Sequence, residues 1–284
     1  MTIISAQSHV SYGYVGNSVA VFALRRLGHE VCPVHTALLA HHPGYGSFNG
    51  ALTPPETVSA ILEGLQLIGV YTECSALLSG YLGSVKTGEA VLGAWREIQN
   101  AAPDAVYCCD PVIGDVDEGV YVDSALPDFF RERALPKATA AIVNVFEAGF
   151  LTGEEVTDVA SAIHAADQIC SLGPAMTIVT SVRVEERGGG QSVGNLYVDP
   201  DGIWLARSSR IDLKAKGPGD FLTALWLGRF VQTRDGIDAL RFAVGGAQMV
   251  IENANVCGSV ELPIVETAEA WLSHSQDVPI ERLR

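Results

Sequence analysis

Apolar residues along this chain fall into short β-branched runs that alternate with longer stretches of helical period. Residues 2–6 read as a strand, 17–27 as a helix stopped by Gly28, and 30–36 as a strand again. A helix opens at Pro54-Pro55-Glu56, a strand follows at 76–79, a helix at 85–99 and a strand at 105–109. Strands at 140–143 and 177–180 flank a helix capped by Thr157 and ended by Gly173-Pro174. Alternation of this kind predicts parallel strands joined by helical crossovers. From residue 182 to 213 the pattern changes to hairpins, with turns at Gly188-Gly189-Gly190 and Asp199-Pro200-Asp201-Gly202, and it predicts antiparallel edge strands. Two long helices, 220–232 and 236–254, precede an acidic tail segment.

Composition narrows the class. With 284 residues, 48% of them hydrophobic, and a mean hydropathy of +0.23, the chain can bury one large core, so a single domain over 1–284 is expected. No apolar run reaches the roughly 18 residues of a membrane span, and Met1-Thr2-Ile3-Ile4-Ser5 enters a strand without a basic leader. A soluble, cytoplasmic protein is expected, with no membrane partner. Cys32, Cys74, Cys108, Cys109, Cys170 and Cys257 show no metal-ligand spacing and are expected to be reduced and buried, with Cys108 and Cys109 on opposite faces of their strand. The net charge of −15 disfavours nucleic acid as a partner. A polyanionic small substrate therefore needs a metal ion and local amide donors against that field.

In an open parallel sheet, ligands bind past the carboxyl ends of the strands. Asp110 and Asp115 follow the strand ending at Cys109, Asn144 and Glu147 follow the strand ending at Val143, and Thr180-Ser181 end the next one. Each alone is an ordinary turn or cap; together they make a crevice. In Lys216-Gly217-Pro218-Gly219-Asp220-Phe221 a glycine-rich turn opens an apolar helix. The free N–H groups and positive dipole end of such a helix favour an anion, and Asp220 beside them can act as a base kept ionised by the same dipole. Asp110, Asp115 and Glu147 are oxygen donors suited to Mg²⁺ carried by ATP, directly or through water, with Asn144 beside them. Near the start, Gln7-Ser8-His9-Val10 and Gly13-Tyr14-Val15-Gly16-Asn17 form a polar loop. Its spacing is not that of a dinucleotide-binding turn, and a small-molecule pocket around Ser8 fits better. His41 and His42 lack partners for zinc and are expected in a solvated or lid-like loop, 41–46.

These segments, with Ser79-Gly80-Tyr81 and Cys109-Asp110-Pro111-Val112 before Gly114-Asp115, stand in an order that resembles the pyridoxal kinases of the ribokinase-like superfamily. The resemblance runs from about residue 3 to 253. It implies a three-layer α/β/α fold with a mostly parallel central sheet. It also implies ATP-dependent phosphorylation of the 5′-hydroxymethyl group of pyridoxal, and of pyridoxine or pyridoxamine, in vitamin B6 salvage. Ser8, Val15, Pro43 and Tyr81 then match positions at the pyridine substrate. Asp110, Asp115, Asn144 and Glu147 match the Mg²⁺ and phosphate group, Thr180 and Ser181 the nucleotide and monovalent-cation contacts. Gly217, Gly219 and the base Asp220 match the catalytic loop. The family usually works as a homodimer, often with K⁺ beside Mg²⁺.

Three residues depart from the family pattern. Pro218 replaces the usual Thr or Ala and removes one N–H from the loop. Pro43 stands where many relatives carry Thr, and Ile142-Val143 replaces Thr-Pro. Pro218 and Pro43 keep open a low-turnover carrier or sensor of pyridoxal or its phosphate. A hydroxymethylpyrimidine kinase of thiamine synthesis shares the fold and the glycine-aspartate loop, and the segment from Gln7 to Asn17 argues against it.

Overall fold

The computed structural model describes residues 1–46, 49–185, 191–211, 215–273 and 278–284. β1 (Thr2–Val10) leads through α1 (Asn17–Arg26) to β2 (Glu30–Leu39), and a short returning strand, β3 (Gly50–Leu52), precedes α2 (Pro55–Leu67). β4 (Cys74–Ser79), α3 (Val85–Ala101) and β5 (Val106–Cys109) follow. A small flap, β6 (Gly114–Asp115) and β7 (Gly119–Val120), and a helical stretch beginning with α4 (Leu126–Phe129) come next. β8 (Ala140–Asn144), α5 (Val145–Thr152), α6 (Val159–Leu172) and β9 (Met176–Glu185) complete the parallel part. β10 (Gln191–Asp199) and β11 (Gly202–Ser209) run antiparallel, and α7 (Pro218–Thr233), α8 (Gly236–Cys257), α9 (Ala268–Ser273) and β12 (Ile280–Arg282) close the chain.

Ten strands share one sheet in the order β12-β11-β10-β9-β8-β5-β4-β1-β2-β3. The six from β9 to β2 pair in parallel, and the returning strands at both edges are antiparallel. β1 has β2 on one side and β4 on the other. Its two neighbours are thus reached by connections running in opposite directions, which opens a crevice at its carboxyl end.

The sheet separates two apolar clusters. One gathers α2, α3, α5 and α6 side chains, the other α1, α7 and α8. Cys109 points into the first and Cys108 into the second, as strand alternation requires. α7 is buried without a break from Phe221 to Gly228, because it lies between the sheet, α1 and α8. An all-round apolar helix of this kind is held by packing on every side. Truncating Phe221 to Ala would cost about 3–5 kcal/mol by the usual cavity penalty.

Several expectations change. β1 continues four residues beyond the expected end, to Val10, and carries Ser8 to the crevice on a strand rather than a loop. The cap of α6 is Asp158, not Thr157, and its side chain exchanges capping bonds with Ser161. Cys257 is exposed and Cys32 and Cys170 are half-buried, whereas the other three cysteines are buried; all six are free thiols. The turn expected at Gly188-Gly189-Gly190 lies outside the described residues. Among the described residues no helix is long and apolar enough to cross a membrane.

Candidate active site

The first turn of α7 organises the crevice. Gly217 caps it at φ 96°, and a Cβ there would sit 1.9 Å from the Tyr14 carbonyl oxygen, so only glycine fits. Pro218 takes the first helical position, where a backbone N–H has no partner in any helix and a fixed φ helps the turn begin. The missing donor is therefore one the helix does not use, and the amides of Gly219 and Asp220 follow it at the positive end. Asp220 is not the cap; it is the third helical residue, and its Oδ2 accepts the Gly16 N–H at 2.9 Å. Gly16 must itself be glycine, since a Cβ would lie 2.4 Å from the Ser8 carbonyl oxygen at φ 53°. Burial raises the Asp220 pKa above the ordinary carboxylate value, and the Gly16 N–H pulls the other way. The expected net push toward ionisation by the helix end is thus outweighed by desolvation.

In front of this turn lies a cavity of about 600 Å³. Ser8, Val15, Pro43 and Tyr81 wall it together with Asp110, Asp115, Asn144, Glu147, Thr180, Gly217, Gly219 and Asp220. Of the expected site residues, Ser181 alone lies outside this wall. It borders a second recess of about 100 Å³ that shares Thr180, Pro218 and Gly219 with the first. Ser181 adopts φ 64°, an uncommon conformation for a residue other than glycine. It lies inside β9, where the pairing with β10 shifts register, rather than at the strand end expected there.

The carboxylates are not equivalent. Asp110 is buried, its Oδ2 accepts the Thr223 hydroxyl at 3.1 Å, and burial followed by the charges of Glu147 and Asp220 lifts its pKa well above normal. Glu147 is also buried and has its pKa pushed up to about 7 by desolvation, against the N–H groups of Asn144, Ile113 and Gly114. Its Oε2 accepts the Asn144 N–H at 2.9 Å while Asn144 Oδ1 accepts the Glu147 N–H at 2.9 Å, a reciprocal box that starts α5. Glu147 Oε1 takes the Ile113 N–H at 3.1 Å, and Asn144 Nδ2 donates to the Gly114 carbonyl at 2.9 Å. These two side chains therefore fasten the loop after β5 to the start of α5. Asp115 turns toward Lys216, 3.4 Å away, which also meets Glu118 at 2.7 Å.

No group of three or more His, Cys, Asp or Glu side chains among the described residues is arranged to hold a metal ion. The expected Asp110, Asp115 and Glu147 set is thus not a closed cage. A cage is not what Mg²⁺ requires: it keeps several waters and takes one or two carboxylates plus phosphate oxygens. Asp110, buried among like charges, meets that need, with Glu147 behind it.

Sequence reasoning missed several cavity residues. Lys216 is the one Lys or Arg among the described residues that line it, facing five carboxylates. Thr223 follows Asp220 by three residues, a spacing that puts both on one helix face and could have flagged it. Tyr121 and Glu118 arrive with the flap, whose two-residue strands leave no pattern to read. His42 is buried rather than solvated: its Nε2 lies 3.0 Å from Glu261 Oε1. The 41–46 loop is accordingly pinned down.

A family model described as phosphomethylpyrimidine kinase matches residues 23–265. The pyridoxal kinase PdxY of Rubrobacter xylanophilus is 38% identical over 283 residues, covering 100% of this chain and 98% of that protein. Its counterpart in Corynebacterium diphtheriae is 39% identical over 270 residues, 95% of each. Among solved structures, the pyridoxal kinase from Leishmania donovani in complex with ADP and pyridoxine superposes with a TM-score of 0.92 at 27% identity, covering 100% of this chain and 99% of that one. Matched along its whole length by relatives of one kind, and over most of it by the wider family model, this chain belongs to the pyridoxal kinases of the phosphomethylpyrimidine kinase family.

Proposed function

We propose that this chain, as one kinase domain over 1–284, transfers the γ-phosphoryl group of ATP to the 5′-hydroxyl of pyridoxal, giving pyridoxal 5′-phosphate and ADP. The observation that carries this reading is the placement of Asp220 at the first turn of α7, on the wall shared with Ser8, Val15, Pro43 and Tyr81. The vitamer ring lies against those four residues, with the 5′-hydroxyl toward Asp220. Asp220 takes the hydroxyl proton as the oxygen bonds to phosphorus and the bond to ADP breaks. The amides of Gly219 and Asp220 receive the charge of the transferred group. Asn144, Thr180 and Ser181 border the nucleotide, whose base enters the smaller recess. Lys216 supplies the positive charge that a wall of carboxylates lacks.

Asp110, with Glu147 and Asp115 as further oxygen donors, would hold Mg²⁺, which would neutralise phosphate charge there. K⁺ is the expected companion near Thr180 and Ser181, although Ile142-Val143 offers it no hydroxyl. The working form is a cytoplasmic homodimer.

The match to a phosphomethylpyrimidine kinase model favours a second reading, a hydroxymethylpyrimidine substrate in the same pocket. The carrier reading weakens, because the N–H groups of Gly219 and Asp220 remain at the helix start after Pro218 and a binder has no need of a base such as Asp220. Formation of pyridoxal 5′-phosphate, followed by absorbance with ATP, Mg²⁺ and K⁺, tests the proposal, with pyridoxine and hydroxymethylpyrimidine in parallel. Preferential turnover of pyridoxal is the expected result. Turnover of the pyrimidine alone favours the second reading, and pyridoxal binding without any turnover would restore the carrier.

A further inference from the structure

Glu261 lies beyond α8, far in sequence from every motif, yet it is buried and three donors converge on its carboxylate. His42 Nε2 and Tyr45 Oη reach Oε1 at 3.0 and 2.7 Å, and the Tyr14 N–H reaches Oε2 at 3.1 Å. His42 Nδ1 accepts the Gly44 N–H at 3.2 Å, so a ring carrying its proton on Nε2 satisfies both contacts. Glu261 is itself held, its N–H bonding Ser259 Oγ at 3.1 Å and Ser259 Oγ donating to its carbonyl at 2.7 Å. Gly13 leaves it room, since a Cβ there would stand 2.7 Å from Oε2. The Tyr45 ring packs against His42 and His41, with centroids 5.0 and 5.2 Å apart.

The two segments clamped by this carboxylate both belong to the cavity. His42, Pro43 and Gly44 wall it on one side, at the Pro43–Tyr45 turn. On the other, Tyr14 precedes Val15 and Gly16, and Gly16 donates to Asp220. The Tyr14 carbonyl oxygen also abuts Gly217, where α7 begins. One side chain thus ties the Pro43–Tyr45 turn to the loop whose Gly16 bonds Asp220.

We propose that Glu261 is a positioning residue for the phosphoryl transfer proposed above: it latches the Pro43–Tyr45 turn over the vitamer and fixes the Tyr14–Gly16 loop against Asp220. This rests on the pyridoxal kinase reading. Only a carboxylate suits the place, because every partner is a donor. An amide would turn an NH₂ group toward either Tyr14 N–H or the His42 and Tyr45 pair. The turn would then be free to lift, letting vitamer leave and water enter.

The test compares the parent with Glu261→Gln, Tyr45→Phe and the double variant, measuring kcat, KM for pyridoxal, KM for ATP, and ATP hydrolysis without vitamer. Tyr45 does not line the cavity, so Tyr45→Phe removes one bond to the latch and no contact with substrate. Expected are a rise in KM for pyridoxal of about threefold to tenfold in each single variant, an unchanged KM for ATP, and more ATP hydrolysed per pyridoxal phosphate formed. The double variant is expected to be no worse than Glu261→Gln, since both cut the same connection. An active parent whose Glu261→Gln and Tyr45→Phe forms keep the parental KM for pyridoxal, or raise both KM values alike, overturns the latch alone. A parent that neither binds nor phosphorylates pyridoxal sinks the kinase reading and the latch with it. If Glu261→Gln does not fold, Tyr45→Phe decides on the same criteria.

Discussion

Asp220 stands at the positive end of α7 yet is surrounded by protein, and burial raises its pKa. A base works only when ionised, so the acid limb of the kcat/KM profile is expected above the ordinary carboxylate range. A limb at the ordinary carboxylate value would mean the carboxyl is better solvated in the working enzyme. Asp220→Asn keeps an oxygen for the Gly16 N–H but cannot take a proton, so nucleotide binding by calorimetry should persist while kcat falls about 10²-fold or more. An unchanged kcat would remove Asp220 from the chemistry. Pro218→Ala restores a third first-turn N–H beside those of Gly219 and Asp220, which already receive the transferred charge, so kcat is expected to change by less than about threefold. The unfolding free energy should fall by roughly 0.4–1 kcal/mol, because proline restricts the unfolded chain. The glycine-aspartate loop was readable because its requirements are local: a glycine where only φ > 0 fits and an acid in the first turn. The neighbours of Lys216 were not, since Asp115 and Glu118 reach it from a flap about a hundred residues away in sequence.

At the scale of elements, strands and long helices were legible because strands buried on both faces leave short β-branched apolar runs that alternate with longer helical stretches. α5 and the flap were not. α5 has only eight residues and is apolar nearly throughout, so its period carries no signal. Its start is nevertheless encoded as Asn144 followed by Glu147 at capping spacing, a pair read above chiefly for the Mg²⁺ and phosphate group. Both uses constrain the same carboxylate. Glu147→Ala would strip partners from the N–H groups of Ile113 and Asn144 and should cost about 1–3 kcal/mol in urea unfolding. Glu147→Gln keeps one acceptor and an accepted capping residue, so it should cost less than the alanine. Equal losses in the two variants would show that both carboxylate oxygens are needed as acceptors, since Gln keeps the volume of Glu and only one acceptor.

Across the whole molecule the sign of the charge was plain from the sequence, and its concentration at one place was not. A net charge of −15 says the protein repels a polyanion; the fold adds that Asp110, Glu147 and Asp220 meet in one crevice past the sheet. The switch in direction around β1 predicts such a crevice, whereas Glu261, which braces its wall through His42, comes from a segment with no motif at all. The cost of holding these acids together should appear in stability. Each has a folded pKa above its unfolded one, so between those values the native state binds more protons than the unfolded state, and stability falls as pH rises. For Glu147 the window runs from its ordinary 4.5 to about 7. General repulsion from the net charge acts in the same direction. Tm should therefore decline from pH 5 to pH 8, and Asp110→Asn, which removes one of the three raised carboxyls, should flatten that slope. Mg²⁺ added at pH 8 should raise Tm in the parent and less in Asp110→Asn, because a cation relieves the same repulsion the substitution removes. A parent Tm that is flat or rises over this range would mean that the three carboxyls ionise freely in the folded chain, and that the crevice awaits no positive charge.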